Sequence, residues 1–228
     1  MRRALRSLST VLIIAGALLL ADAITTLVWQ EPVTAITASV QQDDLSGDLD
    51  ALRHALPPPL EMRALHSLRT TRRRVAFSAR ALDRRLDDGD AAGRIEIPAI
   101  GVSFVVVKGT DPADLRKGPG IYDDVPFPGA PGTTAIAGHR TTYLAPFRHL
   151  DDLRPRNRII LKMPYATLTY AVERTKIVEP TDLGVIARTG FDRLVLTACH
   201  PLFSAAQRIV VFARLVRTVP EGAARQTR

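Results

Sequence analysis

Between Gly93 and Val219 the chain is a succession of short apolar or alternating runs, each closed by proline, glycine or a cluster of polar residues. Arg94 to Ile97 and Val102 to Val107 read as strands around Pro98, and Thr133 to Ala137 as a third. Arg158 to Met163 and Thr167 to Val178 flank Pro164; Leu194 to Cys199 and the run from Arg208 come last. Strict alternation puts every second side chain on one face of a pleated sheet, so runs of this kind are strands. Asp111 to Gly120 is turn-rich, Ala145 to Leu153 is a short helix or loop, and Leu183 to Thr189 holds one or two helical turns. Seven or eight short strands with few helical patterns predict a mainly β fold, a small closed barrel. Aromatics make up only 5% of the 228 residues, so aliphatic side chains are expected to fill its core.

The segments before that succession have a different character. Arg2, Arg3 and Arg6 precede a mainly apolar run from about Leu8 to Trp29. Roughly 20 helical residues span a bilayer core, and arginines on the leading side orient such a helix with its amino end inside. Residues 1–30 therefore read as a membrane anchor, with Asp22 toward the outer end and Trp29 at the interface. The competing reading is a cleaved signal peptide ending at Ala21-Asp22-Ala23. Either way the following domain is extracytoplasmic. Residues 31–92 turn polar and charged, are broken by Pro57-Pro58-Pro59, and show intermittent helical spacing at Leu65, Leu68, Val75, Leu82 and Leu86. They read as a partly helical stalk, with Arg72, Arg73 and Arg74 facing either anionic lipid or wall polymer, or solvent alone. Residues 93–219 form the barrel, and 220–228 a short polar tail.

A formal charge of +8 suits an anionic partner. The arginines are spread along the chain without zinc spacing or an interleaved aromatic platform, which argues against nucleic acid. Most of them read as solvated surface. No ligand cluster for a metal and no phosphate-cradling glycine loop is present, so no cofactor is expected. There is one cysteine, Cys199. In an exported domain it has no internal disulfide partner, and an unpaired thiol there marks a reactive residue.

Cys199 closes the alternating run Leu194 to Cys199. On a strand, Val195, Thr197 and Cys199 share one face, while Leu196, Ala198 and His200 share the other. Pro201 ends the pairing, and a loop of about seven residues leads to the strand that starts at Arg208. An antiparallel return brings Arg208 back beside Cys199, a guanidinium next to a thiol. A second stretch, T-A-I-A-G-H-R-T-T from Thr134 to Thr142, puts His139 just past a strand end.

These residues resemble the sortases, the cysteine transpeptidases of Gram-positive cell surfaces. The resemblance rests on G-H-R at Gly138 to Arg140, L-T-A-C at Leu196 to Cys199, and Arg208 nine positions after the cysteine. R-I-E-I-P-A-I-G-V near Arg94, K-G-P-G-I-Y near Lys117 and Y-L-A-P-F-R-H-L after His139 extend it over roughly Arg94 to Val216. It is similar above all to the class E branch of high-GC actinobacteria. One departure is Ala198, where the L-x-T-C form often has threonine.

The resemblance implies an eight-stranded sortase barrel and assigns roles by position. Cys199 is the nucleophile, His139 the acid and later base, and Arg208 the oxyanion or substrate stabiliser. A guanidinium does not lose its proton, so Arg208 suits charge stabilisation. Tyr122 and Thr197 are expected to bind substrate, while His200 faces away and takes a structural role. Arg140 and His149 are read as surface or structural residues. An isolated thiol and imidazole with ordinary pKa values would both be charged at pH 7 in only roughly 1% of molecules, so the pair gains from close approach. The implied reaction is cleavage of an LAxTG-like C-terminal sorting signal between Thr and Gly through a thioacyl intermediate. The acyl group then passes to a cell-wall precursor amine or a pilin lysine. Two alternatives stay open: a cell-surface cysteine hydrolase, and a non-catalytic barrel that binds the wall.

Overall fold

The computed structural model describes residues 2–29 and 32–225, with side chains from 7–21 and 34–225. Its centre is a closed eight-stranded barrel built from β1 (Ala91–Ile97), β2 (Val102–Lys108), β3 (Gly120–Ile121), β4 (Thr133–Ala137), β5 (Arg158–Met163), β6 (Ala166–Val178), β7 (Arg193–His200) and β8 (Gln207–Pro220). The strands run around it in the order β1-β2-β3-β4-β7-β8-β6-β5. Most neighbours are antiparallel; β2–β3 and β4–β7 are parallel. The two-residue β3 escapes sequence reading because it is too short to show alternation. The turn-rich stretch before it also holds a short helix over Pro112–Lys117.

Alternation fills the barrel as expected. Leu194, Leu196 and Ala198 of β7 join Ile95, Ile97, Ile136, Leu161, Leu168, Ile209 and Val211 in one buried cluster. Val195 instead joins Ala135, Val178, Val210 and Phe212 on the outer face, where Tyr122, Val125, Val185 and Ile186 pack against them. Aliphatic residues dominate the interior, although Phe147 and Tyr170 are among its largest fully buried side chains.

Residues 31–92 do not stand off from the barrel as a separate stalk. They include α2 (Pro32–His54), α3 (Pro59–Ser67) and α4 (Thr71–Asp83). Leu45 and Leu49 of α2 are buried with Ala91, Val105 and Val107 of β1 and β2. Val75, Ala79 and Leu82 of α4 belong to the same cluster as the barrel interior. The apolar spacing at Val75 and Leu82 thus marks a core-facing helix whose other positions carry the arginines. Arg74, expected to face outward, is 6% exposed and donates to the carbonyls of Leu68 and Ala224. The stretch after β8 is also docked, since Ala224 is fully buried.

The expected anchor falls on α1 (Arg2–Trp29), a single helix of 28 residues. Leu12, Ile13, Leu18 and Leu19 on it are exposed. No helix among the described residues is long and apolar enough to cross a membrane. The described side chains of α1 run only from residue 7 to residue 21, short of the roughly 20 positions a bilayer core requires. The side chains of Asp22 and Trp29 lie outside the described ones.

Candidate active site

Two paired strands and the loop after a third carry the candidate residues. On β7, Cys199 is the penultimate residue; its Cα partner on antiparallel β8 is Arg208. The connection spans only 201–206, so the hairpin itself puts guanidinium and thiol on neighbouring positions. On the other side β4 runs parallel to β7, pairing Ala137 with Thr197, and the Gly138 N–H donates to Thr197 O at 3.1 Å. Cys199 is two positions beyond that last pair on β7, and His139 is two residues past it in the loop that leaves β4. Cysteine and arginine therefore face each other across β7 and β8, and the histidine follows in the loop after β4, the other neighbour of β7.

Gly138 lets the chain turn there. A Cβ at this position would lie 2.5 Å from the Phe147 ring, closer than any real contact. Phe147 is fully buried, and its N–H donates to His139 O at 3.0 Å, so the loop folds back under the histidine. Three consecutive residues of that loop, Tyr143, Leu144 and Ala145, have positive φ of 51°, 63° and 41°. L-residues adopt such values at a cost, and here they hold a tight reversal. The His139 and Tyr143 rings lie 4.9 Å apart.

His139 is partly buried, and its Nε2 is a buried atom without a hydrogen-bond partner among the described residues. Burial, and secondarily the positive charge of Arg116, hold its pKa below the ordinary imidazole value. The ring therefore favours the neutral form and carries a free ring nitrogen. Cys199 is partly exposed and free. Arg208 Nη1 donates to the carbonyls of Ala205 and Gln207 at 2.9 and 3.0 Å. No carboxylate pairs with it among the described residues, so its charge is left to act on a ligand.

Tyr122 and Thr197 come together, with the tyrosine Oη and threonine Oγ1 2.9 Å apart in a hydrogen bond. Thr197 is 5% exposed, so its hydroxyl belongs to this pair, and Tyr122 is the more accessible of the two. His200 projects away from Cys199 to Arg140, its Nδ1 2.9 Å from the Arg140 Nη1. Arg140 is no surface residue: it is 2% exposed. His149 is at the surface, 3.2 Å from Asp152. Sequence reasoning gave Arg140 no task and overlooked Arg116. The visible signal for Arg140 was its place directly after the histidine. For Arg116 there was none, because folding alone brings it near. Among the described residues no group of His, Cys, Asp and Glu side chains is arranged to hold a metal ion.

The arrangement provides a thiol, a neutral base with one free nitrogen, and an unneutralised guanidinium, the parts that acyl transfer through a thioester requires. Comparison with known proteins agrees with it. Among curated proteins the chain is 34% identical over 134 residues to Sortase D of Bacillus subtilis, covering 57% of this chain and 66% of that protein. It is 29% identical over 149 residues to Sortase SrtE2 of Streptomyces coelicolor, covering 58% of this chain and 59% of that one. The chain thus spans somewhat less than two thirds of the length of these relatives. The solved structure of sortase E from Streptomyces avermitilis is 30% identical, with a TM-score of 0.54, over 61% of this chain and 100% of that one. Residues 95–216, the stretch holding all eight strands but the start of β1 and the end of β8, match the Sortase domain family. With cysteine and arginine on neighbouring strands and the histidine just after β4, all inside that stretch, the chain belongs to the sortase family.

Proposed function

We propose that the chain is a cysteine transpeptidase that cleaves an LAxTG-like sorting signal between Thr and Gly. The observation that carries this reading is the register that sets Cys199 opposite Arg208, on the strand that β4 pairs with just before His139. Cys199 Sγ attacks the threonine carbonyl carbon and the C–N bond to glycine breaks. The glycine amine leaves with a proton delivered through His139, whose buried Nε2 has no other partner among the described residues. The Arg208 guanidinium faces the oxyanion. A wall-precursor amine or pilin lysine then gives up a proton to His139, attacks the thioester and frees the thiol. The partly buried Tyr122, Val125, Val185 and Ile186, packed over the buried outer-face cluster, offer an apolar surface to the signal's leucine.

The class E assignment rests on the resemblance to the two Streptomyces sortases, and Sortase D of Bacillus subtilis is the competing comparison. Alanine at the second position keeps an N–H that proline lacks. A groove that bonds this N–H, with Tyr122 holding the nearby backbone, leaves an acceptor unpaired against proline, which costs about 1–3 kcal/mol. Anchoring of the full chain in a membrane, catalytic domain outside, is supported by the leading arginines and exposed apolar side chains of α1.

The test compares kcat/KM for two peptides that differ only by Ala or Pro at the second signal position, with and without an added amine. Product carrying the amine and a preference for alanine of about fivefold or more are expected. Equal values remove the class E specificity; free acid as the only product favours a hydrolase. Cys199→Ala abolishes the acyl-enzyme in either case.

A further inference from the structure

The reaction above leaves Arg140 without a task, yet its guanidinium is 2% exposed and each of its nitrogens is engaged. Nε donates to Arg148 O at 3.2 Å, Nη1 lies 2.9 Å from His200 Nδ1, and Nη2 lies 2.7 Å from Asp151 Oδ2. A guanidinium only donates, so His200 Nδ1 is the acceptor, and a neutral His200 ring carries its proton on Nε2. Burial tends to raise the Asp151 carboxyl, but the Arg140 hydrogen bond and further favourable contacts outweigh it and hold that group below its ordinary value.

The positions of these partners matter more than their number. Arg140 follows the candidate acid His139, and His200 follows the candidate nucleophile Cys199. Cys199 and His200 are successive residues of β7 and point to opposite faces, so this bond ties the side of β7 away from the nucleophile to the loop that follows β4. The β4–β7 register ends at Ala137 and Thr197, with the Gly138 N–H bond to Thr197 just after it. His139 and Cys199 lie beyond that point, where the strand ends need another tie to keep their separation. The same guanidinium binds Arg148 and Asp151, which belong to the loop that folds back under His139.

We propose that Arg140 is a positioning residue: by bridging His200 to the Arg148 carbonyl and the Asp151 carboxylate, it sets the separation of Cys199 from His139. The proposal rests on the reading of these two as nucleophile and acid. A displacement of about 1 Å at a reacting pair can cost about 10²-fold in rate, so a tie behind the pair has catalytic leverage. Lysine presents one point of charge and does not match three acceptors arranged around a planar fork. In His200→Asn the side-chain amide keeps an acceptor oxygen near the place of Nδ1, whereas His200→Ala removes the acceptor.

The experiment follows alkylation of the single thiol by iodoacetamide at pH 7 beside kcat and KM, in the full chain in detergent. The variants are Arg140→Lys, His200→Asn, His200→Ala and the Arg140→Lys/His200→Ala double. Folded fraction is measured for each by denaturant titration, and rates are referred to it. Arg140→Lys and His200→Ala are expected to lower both the alkylation rate and kcat about tenfold or more, with KM nearly unchanged. His200→Asn stays within about threefold of wild type, and the double is no worse than the poorer single. If Arg140→Lys fails to fold, the His200→Asn and His200→Ala pair answers the same question. Variants that melt earlier but keep wild-type thiol reactivity and kcat overturn the proposal. The thiol readout needs no transpeptidation: this reactivity pattern in a chain that transfers no acyl group would support the positioning role while removing the transpeptidase reading.

Discussion

At the residue scale the site is governed by where charge is allowed to reside. His139 is desolvated and lies near Arg116, both of which disfavour the imidazolium that the proposed reaction uses to protonate the leaving amine. The rate falls on the acid side as thiol and ring both become protonated, and that limb follows His139. It is therefore expected below the ordinary imidazole value of about 6.5 in the pH profile of kcat/KM. Arg116→Gln removes the smaller of the two causes, so the limb should move up toward that value and the peak rate should rise. A limb that stays in place or moves down counts against this account of the ring. Arg208 has a different constraint, since its register partner is Cys199, the proposed nucleophile. Loss of one oxyanion donor typically costs about 10²–10³ in rate, and Arg208→Ala should cost at least that in kcat. Arg208→Lys should recover little, because lysine lacks the planar fork. Single-turnover rates on the same peptide check both, and His200→Ala should hurt less than His139→Ala.

At the element scale, the barrel's strands were legible because half-buried strands write their faces in alternating residues, as Leu168, Thr169 and Tyr170 of β6 do. The β7–β8 hairpin could also be read, since a single proline ends one strand and the return is short. The role of α2 and α4 was hidden. Their arginines and polar residues look like a solvated stalk, and nothing local records that the other helix face meets a barrel remote in sequence. Gln42 of α2 illustrates this. Its Nε2 donates to Val105 O at 3.1 Å and Lys117 O at 2.8 Å, while its Oε1 accepts from the Val105 N–H at 2.7 Å. The side-chain amide thus stands in for a strand beside β2, where β3 pairs only with Val107 and Lys108. Gln42→Leu leaves these backbone groups unpaired and should destabilise the fold by about 1–3 kcal/mol in urea titration. A loss under about 0.5 kcal/mol would mean that water takes the amide's place at little cost.

At the scale of the whole molecule, the functional unit is larger than the stretch that carries the family pattern. Residues 95–216 hold the barrel and the site, but Leu82 of α4, Leu49 of α2 and Ala224 after β8 are nearly or fully buried outside it. Truncating a buried leucine typically costs about 2–5 kcal/mol, so Leu82→Ala should fall in that range by denaturant unfolding. A chain cut to residues 91–228 should unfold at a clearly lower urea midpoint than one beginning at residue 32, and bind more of a hydrophobic dye. Equal midpoints would show that the helices rest on the barrel without supporting it. The candidate trio was readable because its motifs are short and local. Its assembly was not, because the β4–β7 pairing joins segments separated by two further strands.

That parallel pairing also determines when the site comes into being. The β7–β8 hairpin needs closure of only a short loop, so thiol and guanidinium can meet early as the chain folds. The histidine reaches its place only when β4 docks on β7, after a much longer segment has been ordered and the ring of strands shuts. A partly folded chain thus has the proposed nucleophile without its proton partner, and the proposed acyl transfer begins only once the barrel is complete.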